Sequence, residues 1–202
     1  MLHGLADSIE GYRWLPDMLR LDWLNYLLVN APDEYYGGYS WYDFAGDPVP
    51  GVARSCKLLS DLLDDTGIKG FPSDQTILGG FSQGCLMSLE TGLRCPQRLA
   101  GIIGISGYIC DPAKLIRELS PVAKQQRVLM THGTQDPIIP MQLAERSQQA
   151  LRKHGYEVEW HSYPMPHAVC GEEVEALGAF LASAFGESEA KPRSSSILLP
   201  GR

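Results

Sequence analysis

One serine of the 202-residue sequence lies in a segment that could present its hydroxyl for chemistry. Ser82 is at the centre of Gly80-Phe81-Ser82-Gln83-Gly84, between an apolar run and residues with helical spacing. In a G-x-S-x-G segment that joins a strand to a helix, the serine sits on a tight, strained turn above the sheet. Glycine at both flanking positions lets neighbouring backbones approach without a Cβ clash. The pattern predicts that Ser82 is a nucleophile.

A serine hydroxyl needs a base to take its proton, and the base needs an acid to orient it. On scaffolds with this turn, both residues follow the serine in chain order. Asp136 comes shortly after the strand predicted at Val128–Met130, and His167 comes after a predicted strand that ends at Tyr163. Both therefore fall on loops at the carboxyl edge of the sheet, where open α/β sheets bind ligands. We predict His167 as the base and Asp136 as its orienting acid.

Asp111 is the alternative acid, because it follows the strand next after the nucleophile's helix. We favour Asp136 over Asp111 for this role. Asp74 precedes the nucleophile's strand and therefore lies at the wrong edge of the sheet. Three other histidines are better explained by structural roles. His132 lies on the acid loop and could cap a backbone group there, His154 ends a predicted helix, where a cation suits the helix dipole, and His161 lies within a predicted strand.

The tetrahedral intermediate of acyl transfer carries an oxyanion that needs two hydrogen-bond donors. One predicted donor is the backbone N–H of Gln83, the residue after the nucleophile. The second is predicted in the segment His3-Gly4-Leu5, with the N–H of Leu5 as the donor. The alternative interpretation of His3-Gly4 is an ordinary turn.

Short apolar runs alternate with helical patterns along the chain, which predicts a parallel sheet covered by helices on both faces. This α/β domain is predicted to comprise residues 1–185, followed by a polar tail over residues 186–202. Residues 33–50 are rich in Gly, Tyr and Pro and are predicted to form a long loop. The predicted strands are Tyr26–Val29, Thr76–Leu78, Gly101–Ile105, Val128–Met130 and Glu157–Tyr163, and the predicted helices are Val52–Leu63, Leu86–Leu93, Gln142–His154 and Glu172–Phe185.

The composition argues against several function classes. A net charge of -7 is unfavourable for nucleic-acid binding, because phosphate contacts need clustered Lys and Arg. No apolar run is long enough to span a membrane and no signal-peptide pattern is visible, so we expect no stable membrane insertion. The five cysteines are odd in number and lack zinc or redox spacing, and we expect reduced thiols in a cytoplasmic protein.

Together these segments resemble the phospholipase/carboxylesterase family of α/β-hydrolases, which includes acyl-protein thioesterases and lysophospholipase-like esterases. The resemblance implies an α/β-hydrolase fold, a triad of Ser82, Asp136 and His167, and oxyanion donors at Leu5 and Gln83. It also implies hydrolysis of ester or thioester bonds of small acyl substrates, with no metal and no cofactor. The matching segments are His3-Gly4-Leu5-Ala6-Asp7, Asn30-Ala31-Pro32, Ser40-Trp41-Tyr42-Asp43, Gly67-Ile68, Pro72-Ser73, Ile77-Leu78-Gly79-Gly80-Phe81-Ser82-Gln83-Gly84, His132-Gly133-Thr134-Gln135-Asp136-Pro137-Ile138-Ile139-Pro140 and Met165-Pro166-His167.

Aromatic residues are concentrated within residues 33–50. Trp41 and Tyr42 are predicted to bind substrate there, as part of the wall of an acyl pocket near Ser82. The alternative is that these rings anchor a long loop on the sheet.

The family carries an apolar strand immediately before its His-Gly segment, whereas this sequence begins at Met1-Leu2. We therefore expect an α/β-hydrolase sheet that lacks this central strand. One alternative consequence is a non-catalytic or weakly active binding protein that uses the same cleft. A further hypothesis is that Ser195–Leu199 of the tail, which has strand character, fills the position from its own chain or from a neighbour in a homodimer.

Overall fold

The structure, a computed structural model, describes residues 1–186. The predicted tail beyond Gly186, including Ser195–Leu199, lies outside the described residues. The strands are β1 Asp33–Tyr35, β2 Gly38–Ser40, β3 Ile77–Phe81, β4 Gly101–Ile105, β5 Val128–Gly133 and β6 Val158–Tyr163. The α-helices are α1 Leu15–Leu19, α2 Pro48–Ile68, α3 Gln83–Gly92, α4 Pro112–Arg117, α5 Met141–Lys153 and α6 Gly171–Phe185, and short 3₁₀ helices cover Ile9–Tyr12, Ser73–Gln75 and Ala123–Gln125.

Four strands form one parallel sheet in the order β3-β4-β5-β6. Leu78 of β3 lies opposite Ile102 of β4, and Ile103 of β4 lies opposite Leu129 of β5. β6 pairs with β5 and forms one edge of this sheet. Because the strands are parallel, the loops after β3, β5 and β6 all open at the same edge of the sheet.

The side chains of β4 show that both faces of the sheet are covered. Ile102 belongs to a core that contains Leu59 of α2 and Leu86 of α3, whereas Ile103 belongs to a core that contains Leu177 of α6. Successive residues of a strand point to opposite faces, so these two cores lie on opposite sides of the sheet. The predicted parallel sheet with helices on both faces is confirmed.

The prediction of a long loop over residues 33–50 is wrong. This region contains the antiparallel hairpin β1–β2 and the beginning of α2. The hairpin turns at Tyr36 and Gly37, whose φ angles are 46° and 84°. Two consecutive residues with positive φ form the tight turn that matches the twist of a hairpin, and glycine adopts this conformation without steric cost.

The strand predicted at Tyr26–Val29 is reduced to one parallel bridge, between Val29 and Leu2. Leu2 also forms a parallel bridge with Gly80 of β3 and is buried. Within residues 1–186, Leu2 alone occupies the central position between these two segments. Leu2 therefore links the segment at Val29 to β3.

None of the helices between residues 1 and 186 has the length and apolar character that crossing a bilayer requires. All five cysteines belong to this part of the chain and are free, and Cys85 and Cys95 are buried.

Candidate active site

The turn between β3 and α3 holds Ser82 in a strained conformation. The φ and ψ angles of Ser82 are 56° and −115°, a combination that residues with a Cβ rarely adopt. Its N–H donates a hydrogen bond to the carbonyl of Ile105 at 2.9 Å, which ties the turn to the end of β4. The structure thus places the G-x-S-x-G segment at a strand-to-helix turn, the context that the motif requires.

Three glycines allow the backbone to close around Ser82. A Cβ on Gly80 would overlap the carbonyl of Gly84, and a Cβ on Gly84 would overlap the carbonyl of Leu2. A Cβ on Gly4 would come within 3.3 Å of the Cβ of Ser82. The missing side chains therefore let β3, the start of α3 and the loop at Gly4 meet at the serine.

His167 connects Ser82 to Asp136 through two hydrogen bonds. Its Nε2 lies 3.0 Å from Ser82 Oγ, and its Nδ1 lies 2.7 Å from Asp136 Oδ2. An ionised carboxylate only accepts hydrogen bonds, so Nδ1 carries the hydrogen and Nε2 accepts from the serine hydroxyl. The structure brings together the three side chains predicted from the sequence, in an arrangement suited to proton transfer from the serine.

The carboxyl group of Asp136 is enclosed, with a side chain that is 0% exposed. Its Oδ1 accepts hydrogen bonds from the N–H groups of Ile138 at 2.8 Å and Ile139 at 2.9 Å. Burial alone raises the pKa of Asp136, but the hydrogen bonds from Ile139, His167 and Ile138 outweigh it and hold the pKa below its usual value. Asp136 is therefore ionised at neutral pH beside the imidazole.

Two backbone donors lie near Ser82 and are available to a ligand. In the described chain, neither the N–H of Leu5 nor the N–H of Gln83 donates to a protein acceptor. Gln83 is the first residue of α3, where a helix leaves its N–H groups unpaired, and Leu5 follows the glycine that packs against Ser82. These positions suit the two predicted oxyanion donors, whose role stays a prediction.

His3 stabilises the loop that carries Leu5. This histidine is buried, its Nδ1 donates to the carbonyl of Gly4 at 2.6 Å, and its Nε2 accepts from the N–H of Ala31 at 3.0 Å. Burial lowers the pKa of His3 despite the opposing effect of the bond to Gly4, so the ring is neutral at pH 7. The sequence predicts no role for this imidazole, because its partner Ala31 is distant in the chain.

The predicted substrate-binding residues Trp41 and Tyr42 are buried in the core, with exposed fractions of 1% and 6%. The side chain of Gln83 accepts from the N–H of Trp41 at 3.0 Å and donates to the carbonyl of Tyr42 at 3.1 Å. The indole Nε1 of Trp41 donates to the carbonyl of His3 at 3.0 Å. The structure places both residues where they support the nucleophile turn, and their contact with a substrate stays a prediction.

The competing residues have structural roles at other positions. Asp111 caps α4, and its carboxylate accepts from the N–H of Lys114 at 2.9 Å. His132 caps the acid loop, with Nε2 donating to the carbonyl of Ile139 at 2.9 Å. His161 lies on β6 beside Glu159, and His154 contacts the carbonyl of Ala150 at the end of α5.

Comparison with known proteins shows the family of this chain. The sequence model of the Phospholipase/Carboxylesterase family matches residues 1–185. The chain belongs to this family. It is 37% identical to acyl-protein thioesterase 1 of Schizosaccharomyces pombe over 167 residues, which cover 74% of this chain and 73% of that protein. It is 34% identical to acyl-protein thioesterase 1 of Neurospora crassa over 200 residues, which cover 89% and 80% of the two chains.

Solved structures of similar proteins show the same fold. The structure of esterase PE8 has a TM-score of 0.81 at 29% identity and covers 91% of this chain and 90% of its own. The structure of Zea mays acyl-protein thioesterase 2 has a TM-score of 0.77 at 25% identity and covers 92% of each chain. This member of the phospholipase/carboxylesterase family is therefore an α/β-hydrolase of the esterase and thioesterase class.

A further carboxyl group of this family member is buried outside the triad. Glu173, in the first turn of α6, is 0% exposed, and burial raises its pKa to about 7 because Thr131 and the backbone of Cys170 compensate only in part. Its titratable neighbours are Cys85, Cys170 and Tyr163, and burial raises the pKa of each. Two glutamates at the start of a helix are typical of an exposed first turn, so the sequence carried no signal of this burial.

We expect Glu173→Gln to remove part of the pH dependence of stability. The folded pKa lies above the ordinary value of 4.5, so the native chain retains a proton that the unfolded chain has released. The free energy of unfolding therefore falls as the pH rises through this interval, and the loss is complete above pH 7. Between pH 5 and pH 8, the free energy of unfolding of the wild type should fall by roughly 2–3 kcal/mol more than that of the variant. Urea unfolding at both pH values measures this difference.

Glu175→Gln is the matched control, because Glu175 is on the exposed side of the same helix. This variant should lose stability with pH as the wild type does. An unchanged pH dependence in Glu173→Gln would show that Glu173 does not bind the proton in question.

Proposed function

We propose that this chain hydrolyses carboxylic ester or thioester bonds through a covalent acyl-enzyme on Ser82. The observation that supports this proposal is the continuous hydrogen-bonded arrangement of Ser82, His167 and Asp136, at 3.0 Å and 2.7 Å. These three groups supply a nucleophile, a base with the required tautomer and an ionised acid that holds it.

In the first half of the reaction, Ser82 Oγ attacks the carbonyl carbon of the substrate while Nε2 of His167 takes the hydroxyl proton. The carbonyl oxygen becomes an oxyanion, to which the N–H groups of Leu5 and Gln83 donate hydrogen bonds. The tetrahedral intermediate then collapses, and the leaving alcohol or thiol departs with the proton from His167. The acyl group is now bonded to Ser82.

In the second half, a water molecule attacks the acyl carbon and His167 takes its proton. The intermediate collapses to the free acid, and His167 returns the proton to Ser82 Oγ. The imidazole is positively charged in both transition states, so the ionised carboxylate of Asp136 stabilises it there more than in the resting enzyme. The low pKa of Asp136 supports this role, because a neutral acid would give no such stabilisation.

The relatives support acyl substrates. Two fungal relatives are named acyl-protein thioesterase 1, and a solved neighbour is named esterase PE8. We propose an acyl ester or thioester whose leaving group is an alcohol or a thiol. Ser82 is 8% exposed, so only a carbonyl group that reaches down to the turn can react.

Labelling with a fluorophosphonate probe tests this proposal. We expect the probe to form a covalent adduct on Ser82, mapped by peptide mass spectrometry, because only an activated serine reacts with it. The same preparation should hydrolyse a panel of p-nitrophenyl acyl esters and an acyl thioester. Intact protein that is neither labelled nor active on the panel would instead indicate a binding protein with a hydrolase fold.

A further inference from the structure

The two predicted oxyanion donors belong to segments that are far apart in the chain. The N–H of Gln83 is at the start of α3, whereas the N–H of Leu5 is in the loop that follows His3. An oxyanion is stabilised best where both donors lie within about 2.7–3.1 Å of its oxygen. A displacement of about 1 Å near a reaction centre can lower a rate by about 10²-fold. The contacts that fix these two segments relative to each other therefore affect the rate.

Trp41 donates a hydrogen bond to each of the two segments. Its backbone N–H donates to Oε1 of Gln83 at 3.0 Å, and its indole Nε1 donates to the carbonyl of His3 at 3.0 Å. The peptide group of that carbonyl is directly followed by the one that contains the N–H of Leu5. One residue thus bonds to the side chain of the first donor residue and to the loop that supplies the second donor.

Trp41 is itself anchored in the core. It is 1% exposed, and its carbonyl accepts a hydrogen bond at 2.5 Å from Oγ of Ser55, a buried residue of α2. The ring centroids of Trp41 and His3 are 5.5 Å apart, so the indole packs beside the imidazole as well as bonding to the carbonyl. A donor positions its acceptor only when the donor is held, and here α2 holds the residue that bonds to His3.

The side chain of Gln83 is fixed at both ends of its amide. Oε1 accepts from the N–H of Trp41, and Nε2 donates to the carbonyl of Tyr42 at 3.1 Å. Oγ of Ser40 lies 3.3 Å from Oε1 and 2.7 Å from the same carbonyl. All these residues are buried, where an unpaired polar group is costly. Residues 40–42 are therefore fixed relative to the start of α3.

His3 transmits this position to the N–H of Leu5. The carbonyl of Gly4 and the N–H of Leu5 belong to one peptide group, which is planar and trans, so they point in opposite directions. Nδ1 of His3 donates to that carbonyl at 2.6 Å, and Nε2 of His3 accepts from the N–H of Ala31 at 3.0 Å. Gly4 has no Cβ to restrict its dihedral angles, so the hydrogen bonds of His3 are needed to set the direction of the Leu5 N–H.

We propose that Trp41 is a positioning residue, which holds the N–H of Leu5 in place relative to the N–H of Gln83. The inference rests on the proposed function, because the oxyanion forms only if Ser82 attacks an acyl carbon. At 1% exposure, Trp41 offers a substrate almost no surface. Its effect therefore reaches the reaction through His3 and Gln83. The effect is larger in the transition state, where the oxyanion carries charge, than in the ground state.

Trp41→Phe tests this role, because it removes the indole N–H and keeps an apolar ring in the core. We expect kcat for a p-nitrophenyl ester to fall by about 10–100-fold while KM stays within about three-fold, since only a transition-state interaction is lost. A trifluoromethyl ketone adds to an activated serine as a hemiketal whose oxygen takes the place of the oxyanion. Its inhibition constant should rise by about the same factor as kcat falls, because it depends on the same two donors.

Trp14→Phe is the matched control. Nε1 of Trp14 also donates to a backbone carbonyl, that of Gly11 at 2.7 Å, but this bond joins the 3₁₀ helix Ile9–Tyr12 to the cap of α1. The same substitution there should leave kcat, KM and the inhibition constant within about two-fold of the wild type. Circular dichroism at the assay temperature shows that each variant is folded.

A second replacement keeps the test decisive if Trp41→Phe does not fold. Benzothienylalanine at position 41 has the shape of tryptophan with a sulfur atom in place of the N–H. It removes the bond to the carbonyl of His3 without a change in packing, and it should reproduce the loss in kcat.

The outcomes separate this inference from the proposed function. A wild type that is neither labelled by a fluorophosphonate nor active overturns both. An active wild type with an unchanged kcat in the folded Trp41 variant overturns the inference alone. A rise in KM with an unchanged kcat also overturns it, because that result would indicate a substrate contact. An equal loss of kcat in Trp14→Phe would do the same, because the effect would not depend on the bond to His3.

Discussion

Replacement of Ser82 by Ala should lower the rate of ester hydrolysis by about 10⁴-fold or more. The hydroxyl oxygen is the atom that bonds to the acyl carbon, and no other described group lies 3.0 Å from Nε2 of His167 as Ser82 Oγ does. Alanine fits the same turn because only one atom is removed, so the thermal unfolding midpoint should stay near that of the wild type. Steady-state kinetics with a p-nitrophenyl ester, together with thermal unfolding, measure both effects.

Ser106→Ala is the matched control for Ser82→Ala. Ser106 follows β4 at the same edge of the sheet, is buried, and has a positive φ of 50°, close to the 56° of Ser82. Its hydroxyl lies outside the hydrogen-bonded triad, so hydrolysis should stay within a few-fold of the wild type. Substantial activity in Ser82→Ala, or an equal loss in Ser106→Ala, would show that Ser82 is not the nucleophile.

The triad could be predicted because its chemistry constrains local sequence. The glycines around Ser82 are required by close backbone approaches, and Asp136 and His167 follow strands that end at one edge. These constraints act over a few residues each, so they are visible as motifs. The supporting contacts of His3 and the burial of Glu173 depend instead on residues distant in the chain, and the sequence alone carried no sign of them.

The errors in predicted secondary structure have similar causes. The apolar run at Tyr26–Val29 has strand character, but a strand forms only beside a hydrogen-bonded partner. In the described chain, the partner of this run is a single residue, Leu2, which bridges Val29. The hairpin turn was missed because Tyr36 occupies a positive-φ position that usually holds Asn, Asp or Gly. The start of α2 was missed because two prolines precede the periodic residues, although Pro48 fits the first helical position behind the cap Asp47.

Asp136→Asn should reduce the rate of hydrolysis by about 10³–10⁴-fold. The asparagine amide fits the same space, but it is neutral and cannot stabilise the imidazolium that forms in each transition state. Its NH₂ group can also donate to Nδ1 of His167, which favours the wrong tautomer and moves the hydrogen to Nε2. Nε2 would then face Ser82 as a donor and could not take the serine proton.

Asp111→Asn separates this effect from the general loss of a carboxylate. Asp111 follows β4 at the same edge, but it accepts from the N–H of Lys114 and caps α4. Asparagine is an equally good cap, so the free energy of unfolding should stay within a few tenths of a kcal/mol of the wild type. The rate of hydrolysis should stay within a few-fold of the wild type. Steady-state kinetics of the two variants with the same p-nitrophenyl ester, together with urea unfolding, complete the comparison. A large loss of rate in Asp111→Asn with a normal rate in Asp136→Asn would transfer the acid's role to Asp111.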